Sequence, residues 1–258
     1  MKFYGKTDTG KTRAENQDCF GIYQIFPGLT LCVVCDGMGG AAGGATASRE
    51  AIDSFADGIR ENILPDNPED MPDTSATSLR YALTEAVRLA NNSVWELSNS
   101  EEKGGKLSGM GTTLVAFLAA DGGYAYGVNV GDSRMYVIEN GKITQISKDH
   151  SYVQDLIDMG QLTYEEARRF PMRNVITRAV GIEPEVRADL FPVDVIPSGD
   201  RRRTFLLCSD GLSGPVGDDE ILRIVSLDES LEKRAEMLVD AANQAGGPDN
   251  VTAVLAEV

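Results

Sequence analysis

Three stretches of this chain place an aspartate where an apolar run meets a turn. Leu31-Cys-Val-Val-Cys-Asp36-Gly37 and Phe205-Leu-Leu-Cys-Ser-Asp210-Gly211 both run from apolar residues into Asp-Gly. Gly246-Gly-Pro-Asp249-Asn250 is a tight turn that enters the apolar run Val251-Thr-Ala-Val-Leu255. Taken singly, Asp-Gly marks a turn. In matching context the three suit a further use, because carboxylates at strand ends can converge over a sheet edge. Glycine beside them lets a backbone carbonyl approach closely. Oxygen-only donors favour hard cations such as magnesium or manganese. A pair of such ions can polarise a phosphoryl oxygen and deprotonate an attacking water. Spacing alone leaves the convergence of the three open.

A different phosphate chemistry is spelled at Gly5-Lys-Thr-Asp-Thr-Gly10-Lys11-Thr12, a match to the nucleotide-binding G-x-x-x-x-G-K-[ST] loop. That loop works when a buried strand delivers it to a helix N-terminus, whose free N–H groups hold the anion. Only Met1 to Tyr4 precedes Gly5, and the alternation around Phe20, Gly21 and Ile22 argues for a strand downstream. The nucleotide reading is rejected. Cys32 and Cys35 have the C-x-x-C spacing of redox and zinc sites, but residues three apart on a strand face opposite ways. No second such pair exists, and His150 is the only histidine. Buried apolar thiols are the better reading. His150 itself is expected to be a hydrogen-bonded structural histidine near a helix start, since its surroundings supply neither nucleophile nor metal partner.

The elements that must position these residues follow from periodicity. Strands are expected at Phe3–Thr7, Cys19–Ile25 and Leu29–Cys35, then, after a glycine- and alanine-rich turn, a helix at Thr46–Leu64. The prolines of Pro65–Pro72 mark a loop, and Leu79, Leu83, Val87 and Ala90 stripe a second long helix. A polar connection at Glu101–Met110 leads to strands at Thr112–Ala120, Tyr124–Asn129, Met135–Glu139 and Lys142–Ile146. Residues 150–180 read as helical and irregular. Strands at Asp189–Ile196 and Thr204–Cys208, helices at Asp218–Ser226 and Leu231–Ala245, and a strand at Val251–Val258 complete the pattern. Helices in pairs and strands in short-turned runs favour an α+β layered sandwich with antiparallel sheets inside. One domain over residues 1–258 is expected.

The chain carries 24 basic and 40 acidic side chains, for a net charge of −16. Such a chain is repelled by nucleic-acid phosphates, which sets that partner aside. Its apolar runs are strand-length, far short of the ~20 residues a membrane helix needs. With no apolar leader and four scattered cysteines, a cytoplasmic protein is expected, without membrane partner or disulfide framework.

Seven segments, in order, resemble the metal-dependent protein phosphatases of type 2C (the PPM family), bacterial branch. They are Thr7–Asp18, Val33–Gly40, Gly109–Thr113, Val130–Arg134, Lys148–Ser151, Cys208–Leu212 and Gly247–Val251. The resemblance implies a four-layer α-β-β-α sandwich: two central, mainly antiparallel sheets flanked by helix pairs. It implies a centre of two Mn2+ or Mg2+ ions, with Asp36 bridging, Gly37 offering its carbonyl, and Asp210 and Asp249 completing the second ion. Arg13 would grip the substrate phosphate with a planar fork suited to two oxygens. A hydroxide held between the metals would attack phosphorus and expel a serine or threonine alkoxide. The implied partners are phosphorylated proteins, those of a Ser/Thr kinase, acted on by a monomer. Residues 160–181 resemble the family's flap beside the site.

Asp18 and Asp132 are second candidates, the first for the metal-water network and the second for a weaker third ion. Against these roles stand a turn-capping Asp18 and an Asp132 paired with Arg134. Gln17 and Asn250 join the second rank. Gln17 replaces a common glutamate, and its amide still accepts a water hydrogen bond. Ala41 and Gly44-Ala45 stand where relatives often carry histidine and Gly-Glu. Met38 replaces the histidine proposed as proton donor in eukaryotic members, so neither Ala41 nor Met38 can protonate a leaving group. Gly214 replaces an aspartate that commonly helps a third ion, which makes a third metal doubtful. The missing acid keeps open an alternative: a weak or inactive relative that binds metal and recognises phosphoproteins as a regulatory module.

Overall fold

Asp18 to Met38 folds as the hairpin on which the rest is assembled. In the computed structural model, which describes residues 1–67, 70–100, 107–121, 123–196 and 202–258, β2 (Asp18–Phe26) and β3 (Leu29–Met38) pair antiparallel with Asp18 directly opposite Asp36. Beyond β3 come β5 (Leu114–Ala120), β6 (Ala125–Val130) and β9 (Asp189–Pro192), and the two-residue β4 (Gly111–Thr112) pairs with the end of β3. The other sheet runs β1 (Lys2–Asp8), β11 (Val251–Glu257), β10 (Thr204–Cys208), β7 (Arg134–Glu139), β8 (Lys142–Gln145). Every neighbouring pair in both sheets is antiparallel.

The sheets stack because both faces of their central strands are apolar. Phe117 and Phe205 meet between them with ring centroids 4.9 Å apart, among Cys32, Val34, Met135, Leu207 and Val254. The outer face of the β2–β9 sheet is covered by α1 (Gly40–Ile63) and α2 (Ala76–Asn99), through Ile52, Phe55, Ile59, Leu79 and Leu83. The outer face of the other sheet is covered by α5 (Asp210–Ser213), α6 (Asp218–Val225) and α7 (Leu231–Gln244), through Leu212, Ile221, Ile224 and Leu238. The layers are helix, sheet, sheet, helix, the order the resemblance implies. Cys35 faces the α1 side and Cys32 the inter-sheet side, and both thiols are free, so the C-x-x-C spacing is a strand accident. Among the described residues no helix is long and apolar enough to cross a membrane.

Boundaries differ from the sequence reading in a few places. Helix α1 begins at Gly40, not Thr46, so the glycine-rich stretch is helical. Close contacts explain this: a Cβ at Gly44 would stand 2.6 Å from the Gln17 side chain, and one at Gly43 would stand 3.0 Å from Met110. Packing decides against helix propensity here. The strand expected at Asp189–Ile196 ends at Pro192, and the single turn of α5 was not expected. Between α2 and β4, positions 101–106 of the expected connection lie outside the described residues, as do Pro68 and Glu69 of the expected loop. The nucleotide-loop lookalike is strand β1 and a turn, with no helix after it. Residues 150–180 hold α3 (Tyr152–Asp158) and α4 (Tyr164–Ala167), the latter opened by a Thr163/Glu166 capping box.

Candidate metal centre

The two sheets deliver their aspartates to one end of the sandwich. Asp36 lies at the end of β3, Asp210 opens α5 just past β10, and Asp249 sits in the turn entering β11. Close backbone approach makes this possible. A Cβ on Gly211 would stand 1.8 Å from the Asn250 carbonyl oxygen, and one on Gly37 would stand 2.1 Å from that of Gly44. Only glycine lets these segments touch. With Arg13, Gly37 and Asp132, the three aspartates line a cavity of about 520 Å³. The convergence that spacing left open is therefore present.

Buried hydroxyls brace the floor. Asp18 Oδ2 accepts from Ser209 Oγ and Thr252 Oγ1, each at 2.7 Å, which ties one sheet to the other directly behind Asp36. Asp18 is thus a buried strand residue, not a turn cap. Thr113 Oγ1 accepts from the backbone N–H of Asp36 at 2.9 Å and lies 2.7 Å from Ser133 Oγ, beside Asp132. Sequence reasoning assigned no role to Ser209, Thr252, Thr113 or Ser133. Ser209 and Ser133 adjoin Asp210 and Asp132, and Thr113 ends one of the seven resembling segments, whereas nothing in the sequence marks Thr252.

The electrostatics ask for positive charge. Burial, then the neighbouring Asp18 and Asp210, holds the Asp36 carboxyl well above the carboxylate range. Asp18 is pushed up to about 7 by burial, against the pull of its two hydroxyl donors. Asp132 is pushed up to about 8 by burial and by Asp210, and Asp210 is raised by burial and by Asp249. Carboxyls crowded this way ionise together only when a cation compensates them. Asp18 Oδ1 and Asp210 Oδ1 are buried with no hydrogen-bond partner. Hard oxygen donors, orphaned carboxylate atoms and mutual repulsion together fit magnesium or manganese. Among the described residues no three acidic, histidine or cysteine side chains form a metal group unaided. A bound ion would draw its remaining ligands from backbone oxygen and water, as magnesium commonly does.

Arg13 reaches over the floor and donates from Nη2 to Asp249 Oδ2 at 2.8 Å. Its guanidinium is about half exposed, and the hydrogen bond to Asp249 raises its pKa further. The second-rank amides are occupied elsewhere. Asn250 donates to the carbonyls of Thr9 and Glu15 at 2.9 Å each and accepts from the Gln17 N–H at 2.8 Å. It holds the loop that carries Arg13. Gln17 donates to the Gly40 carbonyl at the start of α1. Arg134 forks onto Asp149 rather than Asp132, so the local pairing weighed for Asp132 is absent. Gly214 caps α5, donating to the Asp210 carbonyl. His150 is buried and hydrogen-bonded just before α3, the structural role expected of it.

Residues 9–257 match the protein phosphatase 2C family, and the chain belongs to it. It is 34% identical over 252 residues to the serine/threonine phosphatase stp of Listeria monocytogenes, covering 98% of this chain and 94% of that protein. It is 39% identical over 259 residues to the serine/threonine protein phosphatase PstP of Mycobacterium tuberculosis, covering 100% of this chain and 45% of that longer protein. The crystal structure of the PstP catalytic domain in complex with two manganese ions superposes with a TM-score of 0.79 at 32% identity, covering 100% of this chain and 98% of that one.

Proposed function

We propose that this chain is a metal-dependent protein serine/threonine phosphatase, acting on phosphoserine and phosphothreonine in cytoplasmic phosphoproteins as a monomer of one domain. The observation that carries this reading is the meeting of Asp36, Asp210 and Asp249 around one cavity, with buried carboxylate oxygens left without partners and Arg13 above them. Family membership and the named relatives support it.

Asp36, the Gly37 carbonyl, Asp210 and Asp249 would hold two Mn2+ or Mg2+ ions. When bound, such a pair supplies Lewis acidity toward a phosphoryl oxygen and a water molecule. The protein does the positioning. Thr113 fixes the Asp36 backbone, and the Asp18–Ser209–Thr252 bonds lock the two sheets beneath it. Arg13 must exchange Asp249 for the substrate phosphate, whose oxygens match its forked donors. Asp18 and Asp132 shape the surrounding charge, while Gln17 and Asn250 place the loop. Met38 lines the cavity without an ionisable group and cannot protonate the leaving alkoxide, whose proton would have to come from water or from the substrate's surroundings.

The test compares wild type and Asp36→Asn on p-nitrophenyl phosphate and a phosphothreonine peptide, with and without manganese. Both substrates should turn over only with metal. Asp36→Asn should lose more than about a hundredfold, beyond the usual cost of removing a group behind a metal ligand. Absence of wild-type turnover, or unchanged turnover in the variant, would sink the reading in favour of a binding module. Turnover of the aryl ester alone would locate the defect at leaving-group protonation, because nitrophenolate needs no acid.

A further inference from the structure

The chain's single imidazole, His150, is 5% exposed. His150 Nδ1 accepts from the backbone N–H of Gly131 at 3.1 Å, which assigns the ring proton to Nε2. That N–H faces Asp189 Oδ2 at 3.2 Å and lies 3.1 Å from Arg178 Nη1, which donates to Asp189 Oδ1 at 3.0 Å. One carboxylate on β9 therefore receives both the imidazole and the flap's arginine. The main chain repeats the link. His150 N–H donates to the Gly131 carbonyl at 2.9 Å, and the Thr177 and Tyr152 N–H groups donate to the His150 and Val175 carbonyls, each at 2.8 Å.

Two walls of the cavity meet at this residue. Gly131 precedes Asp132 and is held in a left-handed conformation (φ +103°) against Thr113, the residue that fixes Asp36. On the other side, Asn174 and Ile176 line the cavity from the flap, immediately before the Thr177 bond. We propose that His150 is a positioning residue that sets the flap wall at residues 174–178 against the turn carrying Asp132. Nδ1 fixes the turn, and Nε2 fixes the wall through Asp189 and Arg178. This rests on the phosphatase reading only for its kinetic readout.

His150→Asn and His150→Gln separate the two halves, since the asparagine amide falls near Nδ1 and the glutamine amide near Nε2. In His150→Asn, hydrogen exchange at the Thr177 amide should quicken about tenfold while Gly131 stays protected, the size expected for one lost charged hydrogen bond. The KM for a phosphothreonine peptide should rise by at least about fivefold more than that for p-nitrophenyl phosphate. His150→Gln should reverse the pattern, exposing Gly131, protecting Thr177 and lowering kcat on both substrates. Identical behaviour of the two variants, whether both match wild type or both merely lose thermal stability, overturns the proposal. A wild-type protein without phosphatase activity would end the catalytic reading and leave the exchange comparison as the deciding test.

Discussion

The floor of the cavity and its flap wall are held by different means. Each floor aspartate ends or opens an element in the sandwich, and Asp18 is gripped by hydroxyls from the opposite sheet. The wall is tied at its base, by the His150 bonds and the Thr112–Val180 bridge, and its outer residues stand in solvent. Tyr164, Met172 and Val175 are 69%, 45% and 46% exposed. The difference separates two demands. Chemistry on phosphorus needs oxygens fixed to fractions of an ångström, which crossed strands supply. A surface that meets varied protein substrates needs a fixed base and free edges.

The comparison breaks most readily at Asn250, which serves the floor while belonging to no ligand set. Replacing it with alanine strips three hydrogen bonds from the Arg13 loop and should cost about 2–4 kcal/mol in urea unfolding, with a higher KM for phosphopeptide. A variant within about 0.5 kcal/mol of wild type would mean the loop is held like the wall.

A smaller effect comes from the floor's charge. Asp18 has an ordinary value of 3.8 and a folded value of about 7, so between these pH values the folded metal-free protein keeps a proton that the unfolded chain has released. Its stabilising contribution is complete below about pH 4 and is lost as pH rises through about 7. Asp36, Asp132 and Asp210 shift in the same direction. The Tm of the metal-free protein should fall by roughly 5 °C between pH 5 and pH 8, and Asp18→Asn should flatten the decline. Manganese at pH 8 should restore the loss by binding only the folded state. A metal-free Tm that rises over this range would contradict the crowded floor. The smallest effect belongs to the wall: Tyr164→Ala should change stability by less than about 0.5 kcal/mol, checked by the same unfolding series.

Strands, helix pairs and the three Asp turns were legible because each is a local pattern of period or punctuation. Asp36, Asp210 and Asp249 could be named from sequence, and their meeting could not, since it depends on glycine contacts such as Gly211 against Asn250. The hydroxyl braces were invisible for a related reason. Ser209 and Thr252 lie 191 and 234 positions from Asp18, so no local pattern pairs either of them with it. The start of α1 was misread because glycines that argue for a turn in isolation here serve close packing against Gln17 and Met110.

The position of β11 has a consequence for biosynthesis. It lies between β1 and β10 in its sheet, and the turn leading into it carries Asp249. A ribosome-bound chain that has not yet released this strand leaves β1 without its partner and the cavity without Asp249. Closure brings Lys2 opposite Glu257, a pairing whose loop entropy makes it slow to form. The meeting of Asp249 with Asp36 and Asp210 therefore waits on the pairing of β11, the strand of this sheet that comes latest in chain order.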